Sequence, residues 1–400
     1  MLTKTDWQIK KLGEICDFQN GFAFKSFEYT DSGFFVMRIG NVQDGYISLS
    51  DPKYIKKSYK PFEKFILKSG DILVSLTGNV GRIGVINEEH LPAVINQRVA
   101  RIVLKNNESV NKQFFIFFLK SPYFIKELIG VGHGAAQQNI STKDIEDLEI
   151  PLPPLPEQQH IVKILDKIFE KVTRAKEIAE KNLQNSRELF KSYLQEIFTS
   201  SGKNWEEKKL SEVCEKITDG THQTPTYYDD GTIFLSSRNV TSGKIDWENI
   251  KYIDDRQHLE MHKRVAPRRN DILLAKNGTT GVAAIVDKDV TFDIYVSLAL
   301  LRALDVIIPS FLLYFVNSPV AKKQFNKRLK GSGVPNLHLE EIREVVIPFP
   351  KSLMEQKNIV KKLDGLSAQT KKLEEIYSRK LELLEELKKS FLAKAFKGEL

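Results

Sequence analysis

Basic and amide side chains collected in turns are the residues of this 400-residue chain that could do chemistry. Arginine pairs with guanine edges and asparagine or glutamine with adenine edges, whereas lysine holds phosphates. The first half of the chain carries one such set: Lys25, Arg38, Asn41, Thr77, Asn79, Arg82, Asn96, Gln97 and Arg98. The second half carries another: Thr221, His222, Arg238, Asn239, Lys276, Asn277, Thr279 and Thr280. Taken singly, each of these residues is better interpreted as a solvated loop residue than as a binding residue. The repetition of the sets at equivalent places, with different identities, favours two binding surfaces of one design that recognise different things.

Sequence motifs of catalysis and of metal binding are missing from this sequence. There is no G-x-x-x-x-G-K-[ST] phosphate loop, no H-E-x-x-H, no C-x-x-C pair and no strand followed by G-x-G-x-x-G. The tetrapeptide of amino-methyltransferases, Asn or Asp followed by Pro-Pro and an aromatic residue, does not occur. The acidic pairs at 229–230 and 254–255 are interpreted as solvated loop acids, and His133 and His222 as loop histidines without a carboxylate or cysteine partner. We therefore predict a binding protein with no catalytic residue, metal site or cofactor of its own.

The charge balance permits nucleic-acid binding without establishing it. Lys and Arg total 60 against 52 Asp and Glu, which gives a formal charge of +8. The N-terminal sequence has no apolar stretch of signal-peptide length, and the most apolar run, 114–119, is too short to span a bilayer. Cys16 and Cys214 are predicted to be buried thiols rather than a disulfide. These features predict a cytoplasmic protein.

The two halves of the chain are copies of each other. The opening W-x-x-K-x-L-x-E-[IV] at Trp7 recurs at Trp205, 198 positions later. Small insertions then shift the offset by a residue or two, so that G-D-I-L at Gly70 matches N-D-I-L at Asn270. This period is too long for a solenoid, whose units have about 20 to 50 residues. We predict a tandem duplication of a globular domain followed by a helix.

A proline hinge that opens into a long helix ends each half. The first hinge, I-P-L-P-P-L-P-E-Q-Q, begins at Ile150, and the second, I-P-F-P-K-S-L-M-E-Q, begins at Ile347. Prolines remove amide donors and favour polyproline geometry, so the first helix is predicted to start at Pro156. In the second copy, Ser352 and Glu355 have the spacing of a capping box. Two different start signals thus predict the same boundary.

Apolar residues recur at alternating steps of three and four beyond both hinges, which predicts the narrow stripe of a coiled coil. Helices of about 40 residues would each be about 60 Å long at 1.5 Å rise per residue. One narrow stripe needs a partner, and the other copy is the obvious one. We predict an antiparallel coiled coil with pseudo-two-fold symmetry and one globular domain at each end. Two surface helices lying on separate domains are the alternative.

Each globular half is predicted to be α+β with a small twisted sheet. Strand-like runs at 33–39, 71–76, 82–86 and 99–104 recur at 232–235, 271–275, 282–286 and 296–301. The runs 114–119 and 311–316 precede Ser-Pro and predict one buried helix in each half. The predicted division is a first globular domain at 1–152, a central long helix at 153–200, a second globular domain at 201–351 and a C-terminal long helix at 352–400.

In its whole length the sequence resembles the specificity subunit of Type I restriction-modification systems. The residues that carry the resemblance are the openings at Trp7 and Trp205, the strand motifs at Gly70 and Asn270, both hinges, and the closing A-F-K-G-E-L at 395–400. No single motif is decisive, but their order, spacing and duplication together are specific. The second hinge departs from the first in keeping only two of its prolines, and Gly365 lies in a turn of the second helix where the first copy has Lys167, a position for a local bend.

The resemblance implies that each globular half is a target recognition domain for one part of a split, asymmetric DNA sequence, and that the coiled coil sets the distance between the parts. It implies a non-catalytic subunit whose partners are double-stranded DNA, two adenine-methylating subunits and, where present, two restriction subunits. S-adenosylmethionine, ATP and Mg are expected on the partner subunits, and no membrane is expected. A DNA methyltransferase or nuclease that acts alone and a coiled-coil scaffold that binds only proteins remain alternatives.

Overall fold

The computed structural model describes residues 7–56, 60–105, 108–132, 139–200, 202, 204–329 and 336–400. The chain forms two compact units. The first unit consists of Met1–Ala179 and Arg379–Leu400, and the second of Glu180–Ser378. Each unit therefore contains one globular half together with one part of each long helix. The four-part division predicted from the sequence remains a prediction.

The first half of the chain consists of a globular part followed directly by the first long helix. Their elements are β1 Gln8–Lys11, α1 Leu12–Ile15, β2 Cys16–Asn20, β3 Phe34–Met37, β4 Tyr54–Ile55, β5 Ile72–Ser75, β6 Ile83–Val85, β7 Ala93–Ile95, β8 Val99–Leu104, α2 Lys112–Leu119, α3 Pro122–Gly130, α4 Thr142–Glu146, β9 Glu149–Leu152 and α5 Leu155–Thr199. Short 3-10 turns lie at Ser26–Glu28, Ile39–Asn41, Lys60–Phe65 and Glu88–His90. The buried helix predicted at 114–119 is confirmed as part of α2.

The second half repeats this order and adds one helix. Its elements are β10 Trp205–Lys209, α6 Leu210–Val213, β11 Cys214–Asp219, β12 Thr232–Leu235, β13 Lys251–Ile253, α7 Asp255–Arg264, β14 Ile272–Ala275, β15 Ala283–Ile285, β16 Phe292–Ile294, β17 Leu298–Ala303, α8 Pro309–Val316, α9 Pro319–Asn326, α10 Leu339–Arg343, β18 Val346–Pro350 and α11 Leu353–Phe396. A 3-10 turn lies at Ser237–Val240. The added helix is α7, where the first half has the 3-10 turn Lys60–Phe65.

Both halves build the same three small sheets. In the first half β1 pairs with β9, the four-stranded sheet has the order β2-β8-β5-β6, and the three-stranded sheet has the order β4-β3-β7. The second half repeats these as β10-β18, β11-β17-β14-β15 and β13-β12-β16. The parallel pair β3 with β7 also recurs, as β12 with β16. The predicted α+β class is confirmed, but the single small sheet expected in each half is three sheets.

An acidic residue and a left-handed turn explain the matched G-D-I-L and N-D-I-L motifs. Gly70 has φ +86° and Asn270 has φ +73°, a region that glycine and asparagine adopt most readily. The next residue in each motif forms a half-buried or buried ion pair with an arginine of the neighbouring strand. Arg302 donates to Asp271 at 2.7 Å in the second half, and the first half has the equivalent pair at 3.1 Å. The motif therefore anchors the start of β5 and of β14.

The hinges are more ordered than the polyproline segments predicted from their composition. Residues before the first long helix form β9, in which Pro151 lies opposite Ile9 of β1. A proline fits there because this sheet has only two strands, so its missing N–H faces no second neighbour. The helix α5 begins at Leu155, one residue before Pro156. At the second hinge the Ser352 hydroxyl accepts from the Glu355 N–H at 3.4 Å, as the capping-box spacing predicts.

A buried glutamine at the start of each long helix locks the hinge to the globular half. Gln158 accepts from the Asn111 N–H at 2.8 Å and donates to the carbonyls of Ser109 and Pro153, both at 2.8 Å. Its counterpart Gln356 is buried in the same way. It accepts from the N–H of residue 308 at 2.8 Å and donates to the carbonyls of residues 306 and 350 at 3.0 and 2.9 Å. The E-Q motif of both hinges is thus a structural joint.

Within each unit the parts of α5 and α11 run antiparallel. In the first unit Leu165 near the start of α5 and Phe396 at the end of α11 share one hydrophobic core, and Lys176 pairs with Glu385 at 2.7 Å. In the second unit the end of α5 and the start of α11 share the equivalent core. The predicted antiparallel pairing is confirmed in each unit. The helix α11 is continuous through Gly365.

Each half has one core between its larger sheet and its helices and a second core around its smaller sheet. Cys16 and Cys214 are buried in the helix-facing cores. Both thiols are free, and burial raises their pKa to about 12. The prediction of two buried thiols is confirmed.

Candidate nucleic-acid interface

A cleft of about 520 Å³ brings together most of one predicted set of binding residues in the first unit. The 3-10 turn after β3 forms one wall, and the turn between β7 and β8 forms the other. The lining residues are Tyr29, Arg38, Ile39, Gly40, Asn41, Ser50, Asp51, Asn96, Gln97 and Arg98. Lys25 lies outside it, on the exposed turn before Ser26–Glu28, with its ammonium 5.7 Å from the Phe27 ring centre. The cleft therefore collects guanidinium and amide groups that are far apart in the sequence.

Asn41 is buried in the cleft wall and holds the surrounding loop through hydrogen bonds to its backbone. Its side chain is 1% exposed. Its amide nitrogen donates to the carbonyls of Ser48 and Ser50 at 3.0 and 3.1 Å, and its amide oxygen accepts from the Arg38 N–H at 3.0 Å. Asn239 is the counterpart, and its amide nitrogen and oxygen contact the carbonyl of Asn249 and the N–H of residue 236. In this arrangement both asparagines shape the loop instead of presenting an amide to a ligand.

Arg38 is already paired with an acid at the rim of the cleft. Its guanidinium donates to Asp51 Oδ2 at 2.9 Å and also to the Asp51 carbonyl. Hydrogen bonding to Arg38 and the charge of Lys53 hold the pKa of Asp51 below its ordinary value. Gln97 and Arg98 lie exposed on the opposite wall. A phosphate or a base edge that engages Arg38 must compete with Asp51, whereas Gln97 and Arg98 are directly accessible.

A glycine turn joins β5 to β6 and carries three further predicted residues of the first half. Thr77 forms an isolated bridge with Asn139, and Asn79 is exposed at the tip. Arg82 donates to Gln43 Oε1 at 2.8 Å. Among the described residues the buried hydroxyl of Thr77 has no hydrogen-bond partner. An unpaired buried polar atom is costly, so a water or ligand at this position would relieve that cost.

The equivalent turn of the second half joins β14 to β15. Asn277 forms the same bridge with Asn336, and Thr279 is exposed at the tip. In the described part of the chain, the amide oxygens of Asn277 and Asn336 are buried without a partner. Thr280 donates to the Gly278 carbonyl at 3.3 Å. The same turn thus leaves buried polar atoms unpaired in both halves.

Lys276 and His222 converge on a carboxylate in the second half. Lys276 is buried and donates to Asp219 Oδ2 at 2.5 Å, and Arg264 donates to Oδ1 at 2.7 Å. His222 Nε2 lies 3.3 Å from the same Oδ1, so the interpretation of this histidine as lacking a carboxylate partner is wrong. Burial alone would raise the pKa of Asp219, but the bonds from Lys276 and Arg264 outweigh it and hold that pKa below its ordinary value. Lys276 is therefore an internal counter-ion.

The strand pairings align the loops that line the cleft of the first half with the equivalent loops of the second half, residue by residue. β3 with β7 superimposes on β12 with β16, which places Arg38 opposite Ser236 and Arg98 opposite Ser297 in the comparison. The buried asparagines occupy one equivalent position. The exposed Arg238 stands where the first half has Gly40. Thr221, the remaining predicted residue, lies in the adjoining turn and its hydroxyl accepts from the Gln223 N–H at 3.2 Å. The frame is shared and the side chains above it differ.

A larger groove lies in the second unit between the globular half and the long helices. Its volume is about 1200 Å³. Tyr314 of α8 and Asp364 of α11 line it and form a hydrogen bond of 2.5 Å; burial and this bond raise the pKa of Tyr314. Ser367 of α11 also lines the groove. The first unit has Phe169 at that helix position, packed edge-on against Phe117 at 5.3 Å between ring centres. The corresponding cavity there is about 500 Å³.

Two features of these sites were missed by the sequence analysis. Asp51 is thirteen positions from Arg38, and only the fold brings the two together. Asp219 ends β11 and has no signal of its own in the sequence. His133 lies outside the described residues. In the described part of the chain no helix is long and apolar enough to cross a membrane.

Comparison with known proteins gives one consistent result. The family model described as Type I restriction modification DNA specificity domain matches residues 4–182 and again 202–383. The EcoBI specificity subunit of Escherichia coli is 25% identical, with 98% of this chain and 86% of that protein aligned. The EcoKI specificity subunit of Escherichia coli strain K12 is 24% identical over 98% of this chain and 89% of that protein. The MjaVIII specificity subunit of Methanocaldococcus jannaschii is 35% identical over 44% of this chain and 43% of its own length.

Solved structures share the fold. A chain of a type I R-M system aligns over 99% of both chains with a TM-score of 0.78 and 21% identity. The HsdS subunit of Thermoanaerobacter tengcongensis aligns over 99% of this chain and 98% of its own, with a TM-score of 0.57 and 21% identity. Two matched copies of the specificity domain, the repeated sheets and the long helices lead to one conclusion: the chain belongs to the Type I restriction-modification DNA specificity family, as a specificity subunit.

Proposed function

We propose that this chain recognises double-stranded DNA for a Type I restriction-modification complex, and that each globular half contacts one part of a bipartite, asymmetric sequence. The observation that carries the proposal is the pair of matched loop frames, one of which lines the cleft of the first half. A buried asparagine holds the same loop in both halves, while the side chains around it differ: the exposed Arg98 corresponds to the buried Ser297, and Gly40 corresponds to the exposed Arg238. One frame with different exposed side chains is what recognition of two different sequences requires.

The exposed side chains suit base and phosphate contacts. Arg98 and Arg238 each present a guanidinium, which can bind O6 and N7 of guanine together or pair with a phosphate. Gln97 presents an amide, which can donate to and accept from an adenine edge. Each good bidentate contact contributes about 1 to 3 kcal/mol of discrimination against the wrong base. The subunit itself is non-catalytic, as its family implies.

The long helices are proposed to set the spacing between the two parts of the site and to dock two methylating subunits, with two restriction subunits added where the host has them. In this proposal S-adenosylmethionine, ATP and Mg are bound by those partners. The lengths of the helices support it: α5 has 45 residues and α11 has 44, and each contributes to both units. At 1.5 Å per residue each helix is about 65 Å long, longer than one DNA turn of roughly 34 Å.

Methylation mapping tests the main proposal. The full chain is co-expressed with the methylating subunit of its own system, and genomic N6-methyladenine is sequenced. We expect a two-part motif with a fixed gap. Methylation without such a motif would contradict the proposal. No methylation by the purified chain alone is expected, and activity of that chain by itself would favour a self-sufficient methyltransferase.

Matched insertions test the spacing proposal. Seven residues inserted into α5 and seven at the facing level of α11 preserve the heptad register and should change the gap while both parts of the motif stay intact. Arg174→Ala, which removes an exposed arginine paired with Glu170 of the same helix, is the control and should leave the motif unchanged. An unchanged gap in a folded insertion variant would refute the spacing role.

A further inference from the structure

Two histidines and an aspartate converge in the second unit, where α7 packs on β16. His258 Nδ1 lies 2.7 Å from Asp293 Oδ2, and His262 Nδ1 lies 3.1 Å from Asp293 Oδ1. The two imidazole ring centres are 4.7 Å apart. One ligating atom from each of the three side chains lies within 4.8 Å of the others. The cluster belongs neither to the cleft loops nor to the long helices.

The local fold places both imidazoles on one face. His258 and His262 are four residues apart on α7, so their side chains project from the same side of the helix. The Asp254 carboxylate caps α7 by accepting from the Gln257 N–H at 2.8 Å, which fixes where the helix begins. No metal site is predicted from the sequence, which lacks H-E-x-x-H and C-x-x-C motifs, and the acidic pair at 254–255 is predicted to lie in a loop. The H-x-x-x-H spacing places two imidazoles on one face only when the segment is helical, as it is in α7.

The first half shows that this sheet position does not require an acid. Asp293 of β16 is 1% exposed, and the strand pairing makes Val94 of β7 its counterpart, which is also 1% exposed. A buried carboxylate is costly unless a positive charge or several hydrogen bonds compensate it. The second half combines the carboxylate with an added helix that brings two imidazoles to it. Histidine nitrogens and a carboxylate are ligands that divalent d-block ions such as Zn²⁺ prefer.

We propose that His258, His262 and Asp293 bind one divalent d-block metal ion of the zinc class. Ligand atoms at about 2.0 to 2.2 Å from a tetrahedral Zn²⁺ lie about 3.4 Å from one another. The distances of 2.7 and 3.1 Å join the two Nδ1 atoms to different oxygens of Asp293, and one ligand atom from each side chain lies within 4.8 Å of the others. Changes of up to about 1.4 Å in these separations therefore bring the three atoms to the spacing that the ion requires. The side chains of His258 and His262 remain 20% and 33% exposed, which gives the ion a path and leaves a fourth position for water.

A hydrogen-bonded clamp is the competing explanation. In that case each neutral imidazole donates its Nδ1 proton to one oxygen of Asp293, and the trio only attaches α7 to the sheet. The two explanations differ in what added metal does. A clamp gains nothing from Zn²⁺, whereas in a metal site each neutral imidazole carries its single proton on Nε2, and the two Nδ1 atoms and an Asp293 oxygen form three coordinate bonds.

The test uses the full chain after treatment with a chelator. Calorimetric titration with Zn²⁺ is expected to show one ion per chain, and Co²⁺ is expected to give the visible absorption of a tetrahedral site. His258→Gln and His262→Gln should each lower the affinity at least tenfold, as loss of a metal ligand does. His222→Gln is the matched control, because His222 also contacts a buried aspartate but belongs to no cluster of metal-ligating side chains in the described part of the chain. It should bind Zn²⁺ as the unaltered chain does.

A second measurement needs no variant. Zn²⁺ should protect His258 and His262, but not His222, from modification by diethylpyrocarbonate, as read by mass spectrometry. Absence of one-to-one binding in the unaltered chain would overturn the proposal. So would undiminished affinity in both folded histidine variants, or equal modification of the three histidines with and without Zn²⁺.

Discussion

The two halves share a backbone arrangement and differ in the charges they bury. The first half has Asn20 and Leu76 where the second has Asp219 and Lys276, joined by an ion pair of 2.5 Å. It also has a valine where the second has Asp293. The difference shows that the sheets tolerate a buried charge when a neighbouring segment brings its partner. The strand pairing therefore does not depend on the buried charges, so the buried charged residues can differ between the two halves.

The strongest test of this comparison removes the buried charge on one side. Asp219→Asn leaves Lys276 buried without a counter-charge and should lower the unfolding free energy of the second unit by about 3 to 5 kcal/mol. The measurement is urea denaturation followed by tryptophan fluorescence in a Trp7→Phe background, where Trp205 and Trp247 report on the second unit alone.

The control for that variant comes from the first half. Asp219→Asn combined with Lys276→Leu recreates the Asn20 and Leu76 pair in the second half, and should cost less than about 1 kcal/mol because no unpaired charge remains. A double variant as unstable as the single one would show that the halves are not interchangeable at this position.

Equal effects are expected where the halves are alike. Gln158→Ala and Gln356→Ala each remove a buried side chain that makes three hydrogen bonds, and should lower the unfolding free energy of their own units by about 2 to 3 kcal/mol. The exposed neighbours Gln159→Ala and Lys357→Ala are the matched controls and should be nearly neutral. Clearly unequal losses in the two units would mean that the hinges are not one joint used twice.

The smallest expected effect is on the unfolding free energy at acidic pH. Because the folded pKa of Asp219 is depressed, its stabilising contribution is present above the ordinary carboxyl pKa of about 3.9 and is lost as the pH falls from there through the folded pKa. Below about pH 4 the unfolding free energy of the second unit should therefore decrease more steeply in the unaltered chain than in the double variant that combines Asp219→Asn with Lys276→Leu. The difference in slope should reach roughly 1.4 kcal/mol per pH unit. Parallel acid profiles of the two proteins would contradict the assigned ion pair.

Sequence reasoning succeeded for features that repeat and are local. The duplication, both long helices and the buried helix at 114–119 follow from periodicity and from start signals such as Ser352. It missed α7, because the short polar stretch at 255–264 has no apolar period. It also missed the strand in the first hinge, since prolines argue against strands and the pairing partner, β1, lies about 140 residues away.

The site was harder to predict for the same reason. The turns that carry Gln97 and Arg238 are marked by composition, but whether a polar side chain faces outward depends on contacts distant in the chain. Asn41 was predicted from its type as a base contact, and its burial follows from carbonyls seven and nine residues ahead. Lys276 is neutralised by a residue 57 positions earlier. Local sequence indicates polar turns and does not separate supporting residues from exposed ones.

The most direct test of the central claim changes each globular half separately and maps the methylated motif. The combined variant Gln97→Val and Arg98→Ser places second-half residues in the cleft of the first half, and Arg238→Ala removes the exposed arginine of the second half. With the methylating subunit co-expressed, we predict that the first variant alters one part of the N6-methyladenine motif, the second alters the other part, and the gap stays the same. A variant that changes both parts, or folded variants that leave the motif intact, would contradict the assignment of one half-site to each globular half.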